Sequence, residues 1–313
     1  MVLATCDANA SSGVHKAQGS STELRRRAQG AMLGLAVGDA LGGPLEFLTR
    51  SEVRARHGVV RDMIGGGWLA LRAGQVTDDT QMALCIARSI AETGWSPSDI
   101  AERFAAWLKS RPVDVGNTCR RGIRRYIVHG TVHGEPCDGD AGNGATMRMA
   151  PVALATLGDP ELLERRALDQ AHITHHHPLS DATCVLVGRL VHLACAGEPL
   201  DRLREEAMQT VARFPNMQFE RYRGQSSAYV VDTMQTVLHY LFSTSNFEEC
   251  VVKTVNAGGD ADTTGAIAGT IAGAYYGYDA VPRRWIRKLD RALRYELLLM
   301  AERLVARSPL LCG

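Results

Sequence analysis

The 313-residue chain has no excess of either charge: 35 basic and 34 acidic side chains leave it at +1. That balance argues against a dedicated nucleic-acid binder, which carries a surplus of Lys and Arg. Aromatic residues are scarce, at 6%. None of the eight cysteines stands in a Cys-x-x-Cys pair. Scattered as they are, with Cys85 inside the apolar Met82–Ile90 stretch, they read as buried reduced thiols of a cytosolic protein rather than a disulfide frame or zinc site. Met1–Thr22 has no apolar core segment, so no secretory leader is seen, and these small polar residues read as a disordered tail. The most prominent uncharged run, Thr263–Tyr278, is shorter than the roughly 20 residues a bilayer-spanning helix needs. Convincing strands are missing as well, because the best β-like stretch, Val59–Val76, is broken by Gly65-Gly66-Gly67. There is no P-loop, no His-Glu-x-x-His, no nucleophile elbow and no His-Asp pair of the kind common in all-α phosphohydrolases.

What is present is helical text with 45% hydrophobic residues, too apolar for a disordered chain. Helices are expected over Glu23–Gly42, Thr80–Glu92, from Pro97, Thr118–Val128, Ala145–Leu157, Pro160–His172, Asp181–Ala196, Asp201–Arg213, Ser227–Phe242 and Phe247–Val255. One last long helix is expected from Pro282, with Trp285, Leu289, Leu293, Leu297 and Leu304 in register. Short connections and no shift in composition predict a single all-α domain over 23–313 after the 1–22 tail.

Glycine runs the other way from aromatics: 31 residues, where an average of roughly 7% gives about 22. Gly30, Gly34, Gly38 and Gly42 recur every fourth residue, and so do Gly265, Gly269, Gly273 and Gly277. A glycine inside a helix costs about 1 kcal/mol relative to alanine. Two such stripes need an offset, and close packing of the two helices on one another supplies it, because a missing Cβ lets backbones approach.

Two acidic motifs sit at helix starts: Thr77-Asp78-Asp79-Thr80, and Asp260-Ala261-Asp262-Thr263-Thr264 after Gly258-Gly259. One capping residue satisfies a helix start, so paired acids exceed the need. With Glu46, just past the first glycine stripe, about five carboxylates come within reach of one site, and their repulsion requires neutralisation. Carboxylate and hydroxyl oxygens without histidine or thiol suit hard divalent ions, Mg²⁺ or Mn²⁺. A two-ion site can polarise a substrate oxygen and activate water near neutral pH. The His172, His175, His176 and His177 tract is followed by Pro178 and reads as a helix end or turn, with one pocket-lining histidine rather than a metal site. Gly142-Asn143-Gly144 before a helix could cradle an anion or be a plain turn. Arg120, Arg121, Arg124 and Arg125 read as a solvated helix face.

In order and spacing, four segments together resemble the ADP-ribosylglycohydrolase family: Gly34–Gly42 (Gly-x-x-x-Gly-Asp-Ala-Leu-Gly), Thr77–Thr80, Gly142-Asn143-Gly144-Ala145-x-Met147-Arg148, and Asp260–Gly265. Trp107–Thr118 and Gly224–Tyr229 look like segments of that family's nitrogen-fixation branch. The resemblance covers the chain from about Leu24 to the last helix. It implies a compact all-α fold around two divalent cations, Mn²⁺ first and Mg²⁺ second. Thr77, Asp78, Asp79, Asp260, Asp262 and Thr263 would be metal ligands or ligand neighbours. Glu46 would serve at the centre as ligand or water-orienting base, and Asp114 would assist cleavage at the ribose. Asn117, Gly142, Asn143, Gly144, His175 and Tyr229 would line an ADP-ribose cleft. The implied reaction is hydrolysis of the N-glycosidic bond between ADP-ribose and an arginine of ADP-ribosylated dinitrogenase reductase, the nitrogenase iron protein. A PII-type signalling partner, a monomeric state, a cytoplasmic location and inner-membrane association only through a protein partner are implied too. Hydrolysis of O-linked (serine) ADP-ribose, a non-catalytic ADP-ribose-binding module and a two-metal phosphohydrolase of another lineage stand as alternatives.

Overall fold

The computed structural model describes residues 10–222, 224 and 226–312. Among them are fifteen α-helices, short 3₁₀ turns and three isolated β-bridges, with no strand, as expected of an all-α chain. Part of the tail expected over 1–22, residues 1–9, lies outside the described residues; the first helix is drawn from Ala10.

The first half of the chain forms α1 (Ala10–Gly42), α2 (Arg50–His57), α3 (Asp78–Thr93), α4 (Pro97–Lys109), α5 (Asn117–His129), α6 (Ala150–Ala155) and α7 (Pro160–Ala171). The second half forms α8 (Pro178–Cys195), α9 (Leu200–Arg213), α10 (Val230–Ser243), α11 (Phe247–Val255), α12 (Ala261–Tyr276), α13 (Arg283–Lys288), α14 (Arg291–Ala306) and α15 (Pro309–Cys312). Local chemistry sets many of the starts. Thr49 and Glu52 form a reciprocal capping box on α2, and Ser96, Asp159 and Asn246 cap α4, α7 and α11 through their side chains. Pro97, Pro160 and Pro178 stand in first turns, where the missing N–H costs nothing.

Two expected helices are corrected. The segment from Ala145 runs as turns until α6 starts at Ala150, because the Pro151 ring would clash with the carbonyl four residues back and has no N–H to donate. The single long helix from Pro282 is broken at Leu289-Asp290: Asp290 leaves helical geometry and its Oδ1 accepts from the N–H groups of Ala292 and Leu293, so it starts α14 afresh.

The centre of the molecule is the antiparallel pair α1 and α12. A Cβ built on Gly30, Gly34 or Gly38 would overlap the carbonyl oxygen of Gly273, Gly269 or Gly265 in turn, and one on Gly42 would overlap that of Ala261. The expectation that the stripes pack on one another therefore holds. Gly277 differs: it ends α12 at φ +79, and although its backbone lies against Gly30, a Cβ of its own would meet nothing closer than 4.0 Å. α3, α6, α8, α10, α11 and α14 ring the pair. Every residue of α12 from Ala261 to Ala274 is buried, as expected of a helix apolar on all sides at the core of a large domain. α8 is the one described helix long and apolar enough to cross a membrane by those measures alone; it is a core helix packed on α6, α7, α9 and α12. Five of the six described free thiols, Cys85, Cys119, Cys184, Cys195 and Cys250, are buried, and Cys137 is exposed.

Candidate metal centre and cleft

Because α1 and α12 run antiparallel, the end of α1 lies at the start of α12, and this brings the acidic segments together. After Gly42 a 3₁₀ turn over Gly43–Leu45 leads to Glu46. The next residues pair with the turn ahead of α12: Phe47 donates its N–H to Gly259 O at 2.7 Å, and Gly259 donates to Leu48 O at 2.7 Å. Gly258 and Gly259 hold φ of +74 and +68 there, and any side chain on Gly259 would strike the Ser226 carbonyl. Glu46 is thus tied beside Asp260 and Asp262.

The third acidic segment is fixed from α1. Asp39, fully buried, accepts from the backbone N–H groups and the hydroxyls of both Thr77 and Thr80, at 2.5–3.2 Å. It thereby caps α3 across a long sequence separation and pins Asp78 and Asp79 to the centre. The loop after α4 supplies the fourth: Asp114 Oδ1 accepts from Val115 N at 2.7 Å, and Gly116 N donates to Asp78 Oδ2 at 3.1 Å. One carboxylate oxygen from each of Glu46, Asp114 and Asp262 lies within 4.8 Å of the others.

Burial and crowding together perturb Glu46, Asp78, Asp79, Asp114 and Asp262. Glu46 is pushed up to about 8, first by burial and then by the charges of Asp114, Asp260 and Asp78, against the lowering hydrogen bond from Trp68. Asp78 is pushed up to about 7, by burial and then by Asp114. Asp79 and Asp262 are held well above the carboxylate range by burial and by neighbouring acids, and Asp114 is raised by burial despite its backbone hydrogen bond. Asp39 rises to about 6 through burial, which outweighs its four donors. Arg120, which also lines the cavity, offsets part of the rise at Asp114, but among the described residues none of these carboxylates forms an ion pair.

A divalent cation fits this donor set. Asp79 Oδ2 accepts from the Thr77 hydroxyl, while its Oδ1 is buried with no hydrogen-bond partner. An orphaned carboxylate oxygen among five other acids is what a hard cation would satisfy.

The cluster opens into a cavity of about 590 Å³. Glu46, Asp78, Asp114, Asn117, Gly142, Asn143, Gly144, His175, Asp260, Asp262 and Thr263 all line it. Thr77 and Asp79 lie behind it, the Thr77 hydroxyl being engaged by Asp39 and Asp79. Asn143 Nδ2 donates to Asp260 Oδ2 at 2.7 Å and to the Thr233 hydroxyl at 2.9 Å, and its N–H bonds Ala228 O, so the glycine loop is locked to α10 and α12. His175 is buried beneath that loop with Nδ1 2.8 Å from the Thr174 hydroxyl. A Cβ on Gly144 would stand 2.9 Å from its Cε1, so the loop is glycine because the ring fills the space. Burial lowers His175 well below the ordinary histidine range and keeps the ring neutral. Tyr229 is the one expected cleft residue outside the lining: it caps α10 and bridges Gly142. Among the described residues the other histidines of the tract form no metal-holding group. The His172 and His176 rings stack at 3.7 Å, with His172 Nε2 at 3.0 Å from Asp181 and His176 Nδ1 at 2.6 Å from Gly134 O.

Several structural roles escaped the sequence reading, two of them at residues inside the quoted motifs. Asp39 carried no local sign of its clamp role. Trp68 donates its indole N–H to Glu46 Oε2 at 2.6 Å, and only its place after three glycines could have flagged it. Arg148, fully buried, bonds Gln170 and the Thr174 hydroxyl and lies over the Phe104 ring, bracing the segment that carries His175. A larger groove of about 1140 Å³ lies between α2, α10 and α11. Among the described residues that line it, the carboxylates are Glu248 and Glu249, paired with Arg284 and Lys253.

A helical core that gathers buried carboxylates around an open cleft is a candidate metal centre, and sequence similarity sets this chain among hydrolases. The chain belongs to the ADP-ribosylglycohydrolase family, whose model matches residues 20–311. It is 56% identical over 285 residues to the ADP-ribosyl-[dinitrogen reductase] glycohydrolase of Rhodospirillum rubrum, covering 91% of this chain and 97% of that one. It is 33% identical to the ADP-ribosylarginine hydrolase Tri1 of Serratia proteamaculans, over 92% of this chain and 81% of the relative. A solved structure described as an ADP-ribosylglycohydrolase-related protein complex superposes with a TM-score of 0.80 at 34% identity, covering 91% of this chain and 99% of that one.

Proposed function

We propose that the protein removes ADP-ribose from an arginine of ADP-ribosylated dinitrogenase reductase, cleaving the N-glycosidic bond with two divalent cations, Mn²⁺ or Mg²⁺. The observation that carries this reading is the 56% identity to the Rhodospirillum rubrum glycohydrolase along nearly all of that enzyme's length. The acidic cluster supports the cofactor. Asp78, Asp79, Asp260 and Asp262 would hold the cations, with Thr77 and Thr263 as neighbours. When bound, the ions supply positioning of the vicinal ribose hydroxyls and activation of water.

The chain's own residues account for the rest. Cleavage of a glycosidic bond builds positive charge on the sugar. Asp114, half-buried beside Glu46, starts as the acid, gives its proton to the departing guanidine nitrogen, and the carboxylate left behind stabilises the positive charge on the sugar. Glu46 orients the attacking water, with one oxygen fixed by the Trp68 N–H. The amides at the start of α5 beside Asn117 suit the diphosphate, and His175 holds up the Gly142–Gly144 loop against the nucleotide. We place the enzyme in the cytoplasm as a monomer, with a PII-type protein as regulator and inner-membrane association only through such a partner.

The test is incubation of the Mn²⁺-loaded protein with arginine-linked and with serine-linked ADP-ribosylated protein. Free ADP-ribose from the arginine-linked substrate alone is the expected outcome. Release from serine only, tight binding without release, or liberation of AMP or phosphate would each refute it.

A further inference from the structure

Two large aromatic side chains stand exposed at the mouth of the acidic cavity in a chain that has few: Phe47 is 66% exposed and Trp68 56%. Their ring centroids are 5.3 Å apart and tilted by 45°. They arrive from different elements, and each is held at a cost. Phe47 keeps a left-handed backbone, φ +62, which bulky residues rarely adopt. Its hydrogen bond to Gly259 O fixes that conformation. Trp68 follows the three-glycine loop, where Gly67 lies so close to Pro44 that a Cβ would stand 2.8 Å from its Cα. Gly66 and Leu71 exchange backbone hydrogen bonds to close the loop. No described residue buries either ring.

The chemistry of the pair limits what it can receive. The single indole donor already serves Glu46 Oε2, so Trp68 has only its π face to offer. An aromatic face beside carboxylates attracts a planar cation, and a guanidinium is the best such partner. A stacked adenine is the competing occupant. Position decides against it: Trp68 is bonded to Glu46, at the end where the glycosidic bond would be cut. In ADP-ribose the base is separated from that bond by two riboses and a diphosphate. The leaving group, not the base, is therefore the neighbour of Trp68 and Phe47.

We infer that Phe47 and Trp68 form a subsite for the guanidinium of the modified arginine and set the preference for nitrogen-linked over oxygen-linked ADP-ribose. The inference rests on the hydrolase reading above. It is tested with ADP-ribosylarginine as substrate and with agmatine and free ADP-ribose as separate ligands of the Mn²⁺-loaded protein. Trp68→Ala and Phe47→Ala should each raise KM for ADP-ribosylarginine and weaken agmatine binding about tenfold, with ADP-ribose affinity changed less than about twofold. Trp68→Phe, which keeps a ring but gives up the N–H to Glu46, should restore most agmatine binding while kcat stays low. Equal loss of ADP-ribose and agmatine affinity would mean base stacking, and unchanged agmatine binding would mean no subsite; either overturns the inference. Calorimetric agmatine binding needs no turnover, so an enzyme that binds agmatine through Trp68 but releases nothing from arginine-linked substrate would sink the hydrolase reading and leave the subsite standing.

Discussion

Single carboxylates in this site have separable jobs, and substitution should separate them. Asp114 comes from a loop and is half-buried, while Asp262 is buried at the start of α12 with Oδ1 on its neighbour's N–H. Asp114→Asn should retain its cations by elemental analysis and lose about 10²–10⁴-fold in kcat, the usual worth of a proton-transfer group; normal turnover would remove Asp114 from the mechanism. Asp262→Ala should lose bound Mn²⁺ and activity together, and a metallated, active variant would dismiss it as a ligand. The residue types were legible in the sequence, since paired acids beyond capping need stand out at 78–79 and 260–262. Which of them face the cleft was not. Thr77 and Asp79 turn behind it because Asp39, in the last turn of α1 and 38 positions before Thr77, draws the α3 start onto α1. That bond is made only after the two helices meet, so nothing local to Asp39 announces it. The same holds for Trp68, whose partner Glu46 is reached across the glycine loop.

Helices α1 and α12 show where periodicity suffices and where it fails. Two glycine stripes at four-residue spacing point to close packing of these helices, because backbone contact offsets so much lost helix propensity. Gly38→Ala therefore has nowhere to put its methyl group: both the carbonyl carbon and oxygen of Gly265 occupy the space. A loss of about 3 kcal/mol in denaturant unfolding is expected, at the upper end for overpacking, since backbone yields less readily than side chain. Gly116→Ala, at φ −59 with open space around it, should stay within about 0.5 kcal/mol of the parent. Equal effects at the two positions would mean that the stripe is not a packing device. Helix ends were harder to read. Leu289 and Leu293 keep the apolar register that joins α13 to α14, so the pattern runs through a break that Asp290 imposes by capping. Pro151 was visible, but a proline in a first turn and one inside a helix look alike until the preceding turn is known.

At the scale of the molecule, the +1 net charge conceals an interior that repels itself. Folding gathers seven carboxylates, counting Asp39, and the metal-free fold answers by holding protons. Glu46 moves from 4.5 to about 8, Asp78 from 3.8 to about 7 and Asp39 from 3.8 to about 6. For an acid raised by folding, the native state binds more protons than the unfolded chain between the two values, so stability falls as pH rises. The metal-free protein should therefore keep this stability below about pH 4 and lose it progressively up to about pH 8. Cations that bind the deprotonated native cluster reverse the trend by mass action, because the unfolded chain has no such site. Thermal melts at pH 5.5 and pH 8 with chelator and with excess Mn²⁺ read this directly. The melting temperature should drop between the two pH values with chelator, and Mn²⁺ should raise it far more at pH 8 than at pH 5.5. A chelated protein that gains stability toward pH 8, or a Mn²⁺ effect equal at both, would mean that the carboxylates are not gathered as the fold places them.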